Sequence, residues 1–399
     1  MVAAAPGIRQ DIDEIMPGVI ADRRHFHQHP ELGFQEFETA KIVAERLRAL
    51  GVEEIKTGIA VTGVTGLIHG TKPGPNAGTV VLLRADMDAL PIDEQNDVEY
   101  KSQVHHTMHA CGHDAHTAML LGVSGLLMQK RDQFSGTVKV LFQPAEEGGG
   151  GARVMIEQGV LENPKVDYAF GMHIDQGSPV GQISLRPGPS MAAADRFVIT
   201  IQGKGGHGAS PHETIDPISI GAQIVVALQT IVSREVDPID PAVVTIGALI
   251  AGDASNVIPD TAELRGTLRS FNPAVREQIG RRAGEIAKGI AEAMRATAEY
   301  TYIPGYPSTI NDPGQAELVR QVAIGVVGEE NVALQPMQMG AEDFSYFLEK
   351  VPGAFWFVGS RNPERGLVWG HHHPRFDLDE EAMIYGMDVM INTVLRVLG

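Results

Sequence analysis

A single cysteine surrounded by histidines is the feature of this sequence that most strongly indicates chemistry. Cys111 is the only cysteine among 399 residues, and it lies in the stretch MHACGHDAHTAML, residues 108–120. The histidines in or just before this stretch are His105, His106, His109, His113 and His116. A buried structural cysteine prefers apolar neighbours, whereas a thiol among imidazoles is typical of a metal ligand or a nucleophile.

Further polar clusters follow apolar runs that have the length of strands. The run VVLLR leads to Asp86 and Asp88, VKVLF leads to Glu146 and Glu147, and VDYAFGM leads to His173. In open α/β sheets, ligands bind beyond the carboxyl ends of the strands. Thiolate and imidazole select zinc-like ions over magnesium or calcium. The sequence therefore predicts a transition-metal site, with one glutamate available to bind metal and its neighbour to handle protons.

Other interpretations of the same residues remain open at this point. A single histidine is more often a surface or hydrogen-bonded residue than a ligand, and a lone thiol is more often inert. A cysteine-protease arrangement would leave the glutamate pair and the distant histidines without a role. The stretch GKGGHG, residues 203–208, matches a dinucleotide-binding pattern, but no helix follows it directly. The stretch EEGGGGA lacks the Lys-Ser/Thr pair of a phosphate loop.

Two kinds of secondary-structure pattern divide the chain. Alternating strands and helices in the first third, resumed after the middle of the chain, predict an α/β domain with a largely parallel sheet. Between them the pattern reads β-α-β-β-α-β, which is the order of ferredoxin-like domains. We therefore expect a discontinuous catalytic domain, residues 1–186 and 304–399, and an inserted lid or dimerisation domain, residues 187–303.

The ordered set of motifs resembles the M20 metallopeptidases, and most closely their amidohydrolase branch, subfamily D. This branch contains hippurate hydrolases, N-acyl-amino-acid amidohydrolases and auxin-conjugate hydrolases. The motifs, in chain order, are RADMDALPI, MHACGHDAHTAML, FQPAEEGGGGA, GMH, GKGGHGASPH, NVIPD, GTLRSF, GAEDFSYF and HHHPRFDLDEE. The resemblance covers nearly the whole chain and implies a zinc-peptidase-like catalytic domain with an inserted lid.

The resemblance also implies a centre of two divalent metal ions per subunit. Zinc is the favoured ion, and manganese, cobalt or nickel could replace it. Cys111 would bridge the two ions, with His113 and Glu147 on one side and His173 and His372 on the other. His372 is selected among three consecutive histidines because the family places its ligand two residues before the proline.

Other roles follow from the same resemblance. Glu146 would be the general base, and His207 would reach the active site of a neighbouring subunit. Asn256 and Arg269 would hold the carboxylate of the substrate.

The chain departs from most relatives in two of its motifs. It has Asp-Met-Asp, residues 86–88, where they have His-x-Asp, and it has Cys111 where they bridge their metals with aspartate. This places Asp86 outside the ligand set, and Asp88 would orient a ligand instead.

The implied reaction is hydrolysis of the amide bond of an N-acyl amino acid, either hippurate-like or N-acetylated. Glu146 would take a proton from the attacking water and return it to the departing amine, while the metal and His207 would stabilise the oxyanion. A carboxypeptidase or dipeptidase on the same scaffold would use identical chemistry. A non-catalytic metal-binding scaffold protein is the alternative of another class, although binding metal alone requires no second glutamate.

The composition restricts the classes of partner and the cellular compartment that we expect for this protein. The formal net charge is −18 and the isoelectric point is near 5.2, which argues against nucleic acid or an anionic membrane surface as a partner. A lone cysteine excludes an internal disulfide, and the start of the sequence lacks the features of a signal peptide. We found no apolar stretch of the length that a membrane helix needs. These observations predict a cytoplasmic enzyme for small molecules, and the resemblance adds a homodimer, or a higher oligomer, formed through the inserted domain.

Overall fold

Two compact units make up the computed structural model, which describes Ala5 and residues 7–399. The predicted start of the first domain, and part of the segment judged to lack signal-peptide features, lie outside the described residues. The first unit runs to Gly188 and resumes at Ile310–Pro336 and Asp343–Gly399. The second unit comprises Pro189–Thr309 and Met337–Glu342. This last segment was expected in the catalytic domain, and the functional roles of the two units stay predictions.

The helices alternate with strands along most of the chain. In the described residues they are α1 (Ile8–Gln28), α2 (Phe37–Ala49), α3 (His113–Gln129), α4 (Gly151–Glu157), α5 (Pro217–Thr230), α6 (Pro273–Ala293), α7 (Pro313–Val327), α8 (Ser345–Leu348) and α9 (Ala382–Leu398).

The strands of the first half of the chain are β1 (Glu53–Ile59), β2 (Gly63–His69), β3 (Val80–Asp86), β4 (Thr137–Gln143), β5 (Tyr168–Pro179), β6 (Ile183–Leu185), β7 (Gly188–Met191) and β8 (Ala193–Gln202). Those that follow are β9 (Gly206–His207), β10 (Ala242–Ile250), β11 (Val257–Ile258), β12 (Thr261–Ser270), β13 (Thr297–Tyr306), β14 (Thr309–Asn311), β15 (Val332–Leu334) and β16 (Gly353–Arg361).

The first unit is built on an eight-stranded mixed sheet in the order β1-β2-β4-β3-β5-β16-β6-β15. Its centre is parallel, because β4, β3, β5 and β16 run in the same direction. The pairs β1–β2, β2–β4 and β16–β6 are antiparallel, so the sheet is less uniformly parallel than the sequence predicted. The α/β fold class is confirmed. Strand β3 is fully buried and helix α3 is almost entirely buried. This burial explains why both segments are continuously apolar in the sequence.

The second unit contains β8, α5, β10, β12, α6 and β13, in the predicted β-α-β-β-α-β order. Its four strands form an antiparallel sheet in the order β10-β12-β8-β13. The Asn272 side chain accepts a hydrogen bond from the N–H of Ala274 and so caps α6, while Pro273 occupies the first helical position. These two residues allow the start of α6 to be predicted from the sequence.

Contrary to the expectation from the sequence, one helical segment of the second unit is long and apolar enough to cross a membrane, by length and composition alone. Pro217–Glu235 has sufficient length and a mean hydropathy of 1.2. Its residues Ile220, Ile224, Leu228 and Ile231 belong to the apolar core of this unit. A core helix of a globular domain meets the same criterion, since it is apolar on the face that it buries.

Candidate metal centre

The parallel centre of the sheet brings the predicted polar clusters to one edge. Asp86 is the last residue of β3, and the neighbouring strand β4 ends just before Glu146 and Glu147. His173 lies in β5, which flanks β3 on its other side. Because the carboxyl ends of parallel neighbours meet at one edge of a sheet, these side chains converge although they are far apart in the sequence.

Two further segments complete the group. Gly112 has a φ of 97°, a left-handed conformation that glycine adopts readily, and α3 begins at the next residue, His113. The N–H of His372 donates to the carbonyl oxygen of Ala110 at 2.7 Å, which fixes the loop before α9 beside Cys111. His372 itself has a φ of 64°, which is uncommon for a residue with a side chain.

Two sets of donor atoms share Cys111. One set is Cys111, His113 and His173, and the other is Cys111, Glu147 and His372; within each set the ligand atoms lie within 4.8 Å of one another. Cys111 Sγ lies 3.4 Å from His173 Nε2, and His372 Nε2 lies 3.0 Å from Glu147 Oε1. The resemblance had grouped His113 with Glu147 and His173 with His372. The structure also brings His113 and Glu147 together, in a third set with Glu146 whose ligand atoms lie within 4.8 Å of one another. Among the described residues no set contains both His173 and His372; His173 approaches Cys111, and His372 approaches Glu147.

The buried imidazole of His113 is oriented for metal binding. Its Nδ1 donates to the carbonyl oxygen of Asp88 at 2.9 Å. Its Nε2 is buried and has no hydrogen-bond partner among the described residues. A histidine ligand usually donates from one ring nitrogen to an oxygen while the other nitrogen binds the metal. His173 shows the same pattern, since its Nδ1 donates to the carbonyl oxygen of Ile174 at 2.7 Å. A thiol, three imidazoles and a carboxylate arranged in this way fit a divalent transition metal.

Charge interactions within the group indicate that metal binding releases protons. Burial, and then the charges of Glu147 and Glu146, raise the pKa of the Cys111 thiol well above its usual value. Burial also raises the pKa of Glu147, but His372 and His113 outweigh this effect and leave that pKa below its usual value. The carboxylate is therefore ready to bind a cation, whereas the thiol becomes a strong ligand only when a metal displaces its proton.

Asp88 connects the ligands with the turn at residues 145–147, which carries Glu146 and Glu147 and is called the glutamate turn below. Its carboxylate accepts the backbone N–H of Glu146 through Oδ1 and that of Glu147 through Oδ2, each at 2.9 Å. Its carbonyl oxygen accepts from His113, as described above. This geometry supports the predicted orienting role, although the sequence did not reveal that Asp88 acts on both glutamates.

Glu146 belongs to neither of the two sets that share Cys111, but it forms the third set with His113 and Glu147. It is buried, with 7% of its surface exposed, and its Oε1 accepts the backbone N–H of Asp343 at 3.3 Å. Asp343 in turn accepts hydrogen bonds from Arg84 at 2.9 Å and from the side chain of Gln143 at 2.8 and 2.9 Å. The motif GAEDFSYF contains Asp343, but nothing in that motif alone indicated that its backbone would contact Glu146.

Two further histidines of the clusters, the buried His116 and the partly buried His371, accept backbone N–H groups instead of joining a set with Cys111. His116 donates through Nδ1 to Asp86 at 2.6 Å and accepts the N–H of Ile174 through Nε2 at 2.9 Å, so both ring nitrogens are used. Burial lowers its pKa to about 4, which keeps the ring neutral. His371 accepts the N–H of Gln176 through Nε2 at 3.3 Å.

The other histidines of the opening cluster lie apart from the ligand sets. His105 and His106 are exposed and face Asp93 at 3.4 and 3.0 Å. His109 is buried, and burial lowers its pKa to about 3. Of the five histidines around Cys111, only His113 belongs to a ligand set that also contains the thiol.

The remaining predicted site residues lie in the second unit. His207 is exposed on β9 and pairs with Val257 of β11, and the carbonyl oxygen of Asn256 accepts the N–H of Gly208 at 2.8 Å. His207 Nδ1 accepts the N–H of Ala209 at 3.0 Å, which places the ring proton on Nε2. His207 and Asn256 are therefore close together within this unit.

Arg269 lies separately, on β12 of the same unit. Its guanidinium donates to the Thr267 hydroxyl and to the Leu268 carbonyl oxygen, both of which are neutral acceptors.

Comparisons with known proteins agree with this architecture. Residues 82–396 match the model of a family described as peptidase family M20/M25/M40. Thermostable carboxypeptidase 1 of Saccharolobus solfataricus is 44% identical over 383 residues, which are 95% of this chain and 95% of the relative. The N-acetylcysteine deacetylase of Bacillus subtilis is 44% identical over 361 residues, which are 90% of this chain and 92% of the relative.

A solved structure extends the comparison to the fold. It is the Bacillus subtilis YxeP protein, described as a dinuclear metal-binding peptidase of the M20 family. It is 38% identical, has a TM-score of 0.83, and the match covers 96% of this chain and 98% of that chain. Together with the matched motifs, these comparisons show that the chain belongs to peptidase family M20/M25/M40.

Proposed function

We propose that the protein is a metal-dependent amidohydrolase that cleaves the amide bond of N-acyl amino acids. The products would be a carboxylic acid and a free amino acid. The observation that carries this proposal is the position of Glu146, a buried carboxylate beside two sets of metal donors that share Cys111. A protein that only stored or sensed metal would not need a second carboxylate held in this place.

The metal would be zinc, with two ions per subunit. The thiol and the imidazoles favour zinc among common divalent ions, and manganese, cobalt or nickel are the alternatives. Cys111 would contact both ions, His113 and His173 one of them, and Glu147 and His372 the other. When bound, the ions lower the pKa of a water molecule and polarise the scissile carbonyl group.

Glu146 would move the proton in this reaction. Its carboxylate is held by the N–H of Asp343, and its backbone N–H is held by Asp88. From this fixed position it would accept a proton from the attacking water and then donate that proton to the departing amine. Breaking an amide bond requires this second transfer, because an unprotonated amine is a poor leaving group.

The relatives support a second candidate, a carboxypeptidase. The relative from Saccharolobus solfataricus carries that name at the same 44% identity as the deacetylase. Both reactions hydrolyse an amide next to a free carboxylate and differ in the group on the acyl side. The same metal ligands and the same base would serve either substrate.

An assay with matched substrates separates the two candidates. Zinc-loaded protein is incubated with benzoylglycine, with N-acetylmethionine and with a dipeptide, and release of the free amino acid is measured. We expect faster turnover of the two N-acyl amino acids than of the dipeptide. Turnover of the dipeptide alone would favour the carboxypeptidase, and no turnover of any of them would contradict the proposed hydrolase function.

Arg269 and Asn256 are proposed to bind the carboxylate of the substrate. The hydrogen bonds of Arg269 go to neutral oxygens, so its charge is not used by them. The planar guanidinium can give two charge-assisted hydrogen bonds to a carboxylate. The neighbouring Arg265 on the same strand instead pairs with Glu263 at 2.6 Å.

Arg269→Ala should impair substrates that carry a free carboxylate far more than their amides. We expect kcat/KM for an N-acyl amino acid to fall about 10- to 100-fold, as the loss of a charged hydrogen-bond pair predicts. The measurement compares benzoylglycine with benzoylglycinamide, and Arg265→Ala is the matched control. Equal losses on the acid and on the amide would reject the carboxylate role.

We further propose a cytoplasmic homodimer formed through the second unit. The edge strand β10 and helix α5 expose apolar side chains, which are Ile218, Val226, Leu249 and Ile250. An apolar sheet edge is a template for pairing with a second copy. In this dimer His207 would complete the partner's active site, where its Nε2–H would stabilise the oxyanion.

Mixed dimers test whether His207 acts in trans. Glu146→Ala and His207→Ala homodimers should each be nearly inactive. A purified heterodimer of the two variants would contain one complete site and should recover up to about half of the wild-type rate, because the two lesions fall in the same site. His212→Ala, which changes an exposed histidine nearby, is the control. A heterodimer as inactive as its parents would show that His207 does not act in trans.

A further inference from the structure

Glu36 is a buried carboxylate that the proposed reaction leaves without a role. It occupies the N-cap position of α2, yet its side chain makes no capping hydrogen bond to that helix. Its Oε1 instead accepts the backbone N–H of Ala145 at 2.8 Å, and its Oε2 accepts the hydroxyl of Thr62 at 2.5 Å. Ala145 directly precedes Glu146, so this carboxylate contacts the turn that carries the proposed base.

The start of α2 is capped by another carboxylate, that of Glu31. Glu31 accepts the N–H of Glu38 at 3.2 Å and that of Thr39 at 2.8 Å. Its carbonyl oxygen also accepts the N–H of Ala89 at 2.8 Å, which anchors this segment next to Asp88. Glu36 is therefore not required as a cap, and it is held where it can reach the glutamate turn.

The turn has a conformation that must be maintained by its surroundings. Ala145 has a φ of 53°, in the left-handed region that residues with a Cβ rarely adopt. Gly33 packs against it so closely that a Cβ at residue 33 would lie 3.0 Å from the Ala145 Cβ. Such strain persists only where neighbouring contacts over-determine the conformation.

The two carboxylates together bind three consecutive amides. Glu36 accepts the N–H of Ala145, and Asp88 accepts the N–H groups of Glu146 and Glu147. Removal of Glu36 would leave the buried N–H of Ala145 without its acceptor, and relaxation of the strained turn would then move Glu146.

We propose that Glu36 is a positioning residue that fixes the turn at Ala145 and thereby holds Glu146 in the geometry of proton transfer. This inference rests on the proposed function, since it assigns Glu146 the role of base. A displacement of about 1 Å at a catalytic group can cost about 100-fold in rate. Loss of the hydrogen bond from Ala145 should therefore lower kcat and leave KM nearly unchanged.

Glutamine at this position is the conservative variant. Burial raises the pKa of Glu36 to about 7, although the hydrogen bonds from Thr62 and Ala145 act in the opposite direction. In Glu36→Gln the amide oxygen can accept from Ala145 while the NH₂ group donates to Thr62. Leucine has a similar size but can accept no hydrogen bond.

The test compares Glu36→Gln and Glu36→Leu with Glu31→Leu as the matched control. For each variant kcat, KM, bound metal and Tm are measured with the N-acyl amino acid that the wild type cleaves best. We expect Glu36→Leu to lose about 10- to 100-fold in kcat at unchanged KM and metal content, and Glu36→Gln to stay within about threefold of the wild type. Glu31→Leu should lower Tm but not kcat. A Glu36→Leu variant with wild-type kcat, or equal losses in the leucine and glutamine variants, would overturn the proposal.

A replacement variant and a measurement without substrate cover the cases in which Glu36→Leu does not fold or no substrate is cleaved. If Glu36→Leu does not fold, Glu36→Asp replaces it, since the shorter carboxylate cannot reach both partners. Hydrogen exchange of the peptide containing Ala145 requires no substrate, and it should accelerate in the leucine or aspartate variant but not in Glu36→Gln. Unchanged exchange would overturn the positioning role, whereas a wild type inactive on every substrate would instead contradict the proposed function.

Discussion

Glu146→Gln is expected to abolish nearly all turnover while leaving the fold and the metal content unchanged. The amide has the size of the carboxylate and can still accept the N–H of Asp343, but it cannot take a proton from water. Loss of a general base typically costs about 10²–10⁴-fold in kcat, and more where the same group must also protonate the leaving amine.

The measurement for Glu146→Gln combines kcat with metal analysis of the same sample. Glu157→Gln is the control, because Glu157 lies on α4 shortly after the turn and pairs with the exposed Arg153 at 2.8 Å. A Glu146→Gln variant that keeps more than about a tenth of the wild-type kcat at full metal content would show that another group is the base.

Cys111→Ala should remove metal from both positions at once. The thiol is the donor that the set with His173 and the set with His372 have in common. Without it each set retains two donors, which is fewer than a stable zinc site needs. We expect bound zinc and turnover to fall together and to recover poorly when zinc is added.

Cys111→Asp provides the matched comparison, because a carboxylate can also bridge two ions. This variant should retain more metal than Cys111→Ala at equal free zinc. Wild-type metal stoichiometry in Cys111→Ala would show that the thiol is a bystander, and the histidine cluster around it would then require another explanation.

Patterns within single elements could be predicted from the sequence. Strand β12, Thr261–Ser270, is one of the strands of the predicted β-α-β-β-α-β order, since its alternation and its flanking residues are local signals. Strand β1, Glu53–Ile59, is mostly exposed and therefore carries no apolar pattern by which it could be predicted. The meeting of polar clusters at one sheet edge followed from the parallel order of the strands.

Contacts between distant segments could not be predicted in this way. His116 has the spacing of a ligand, but Asp86 and Ile174 use both of its nitrogens. The approach of His372 to Glu147 depends on a left-handed residue and on a backbone bond to Ala110, neither of which has a sequence signal. These contacts arise from tertiary packing, and composition and periodicity do not report on that packing.

Metal titration of the chelator-treated protein tests the central claim most directly. Zinc is added stepwise, and bound zinc per subunit and the hydrolysis of benzoylglycine are measured on the same samples. The account predicts no turnover without metal and a return of turnover as occupancy rises toward about two ions per subunit. Full turnover by a protein with less than about a tenth of an ion per subunit would contradict it.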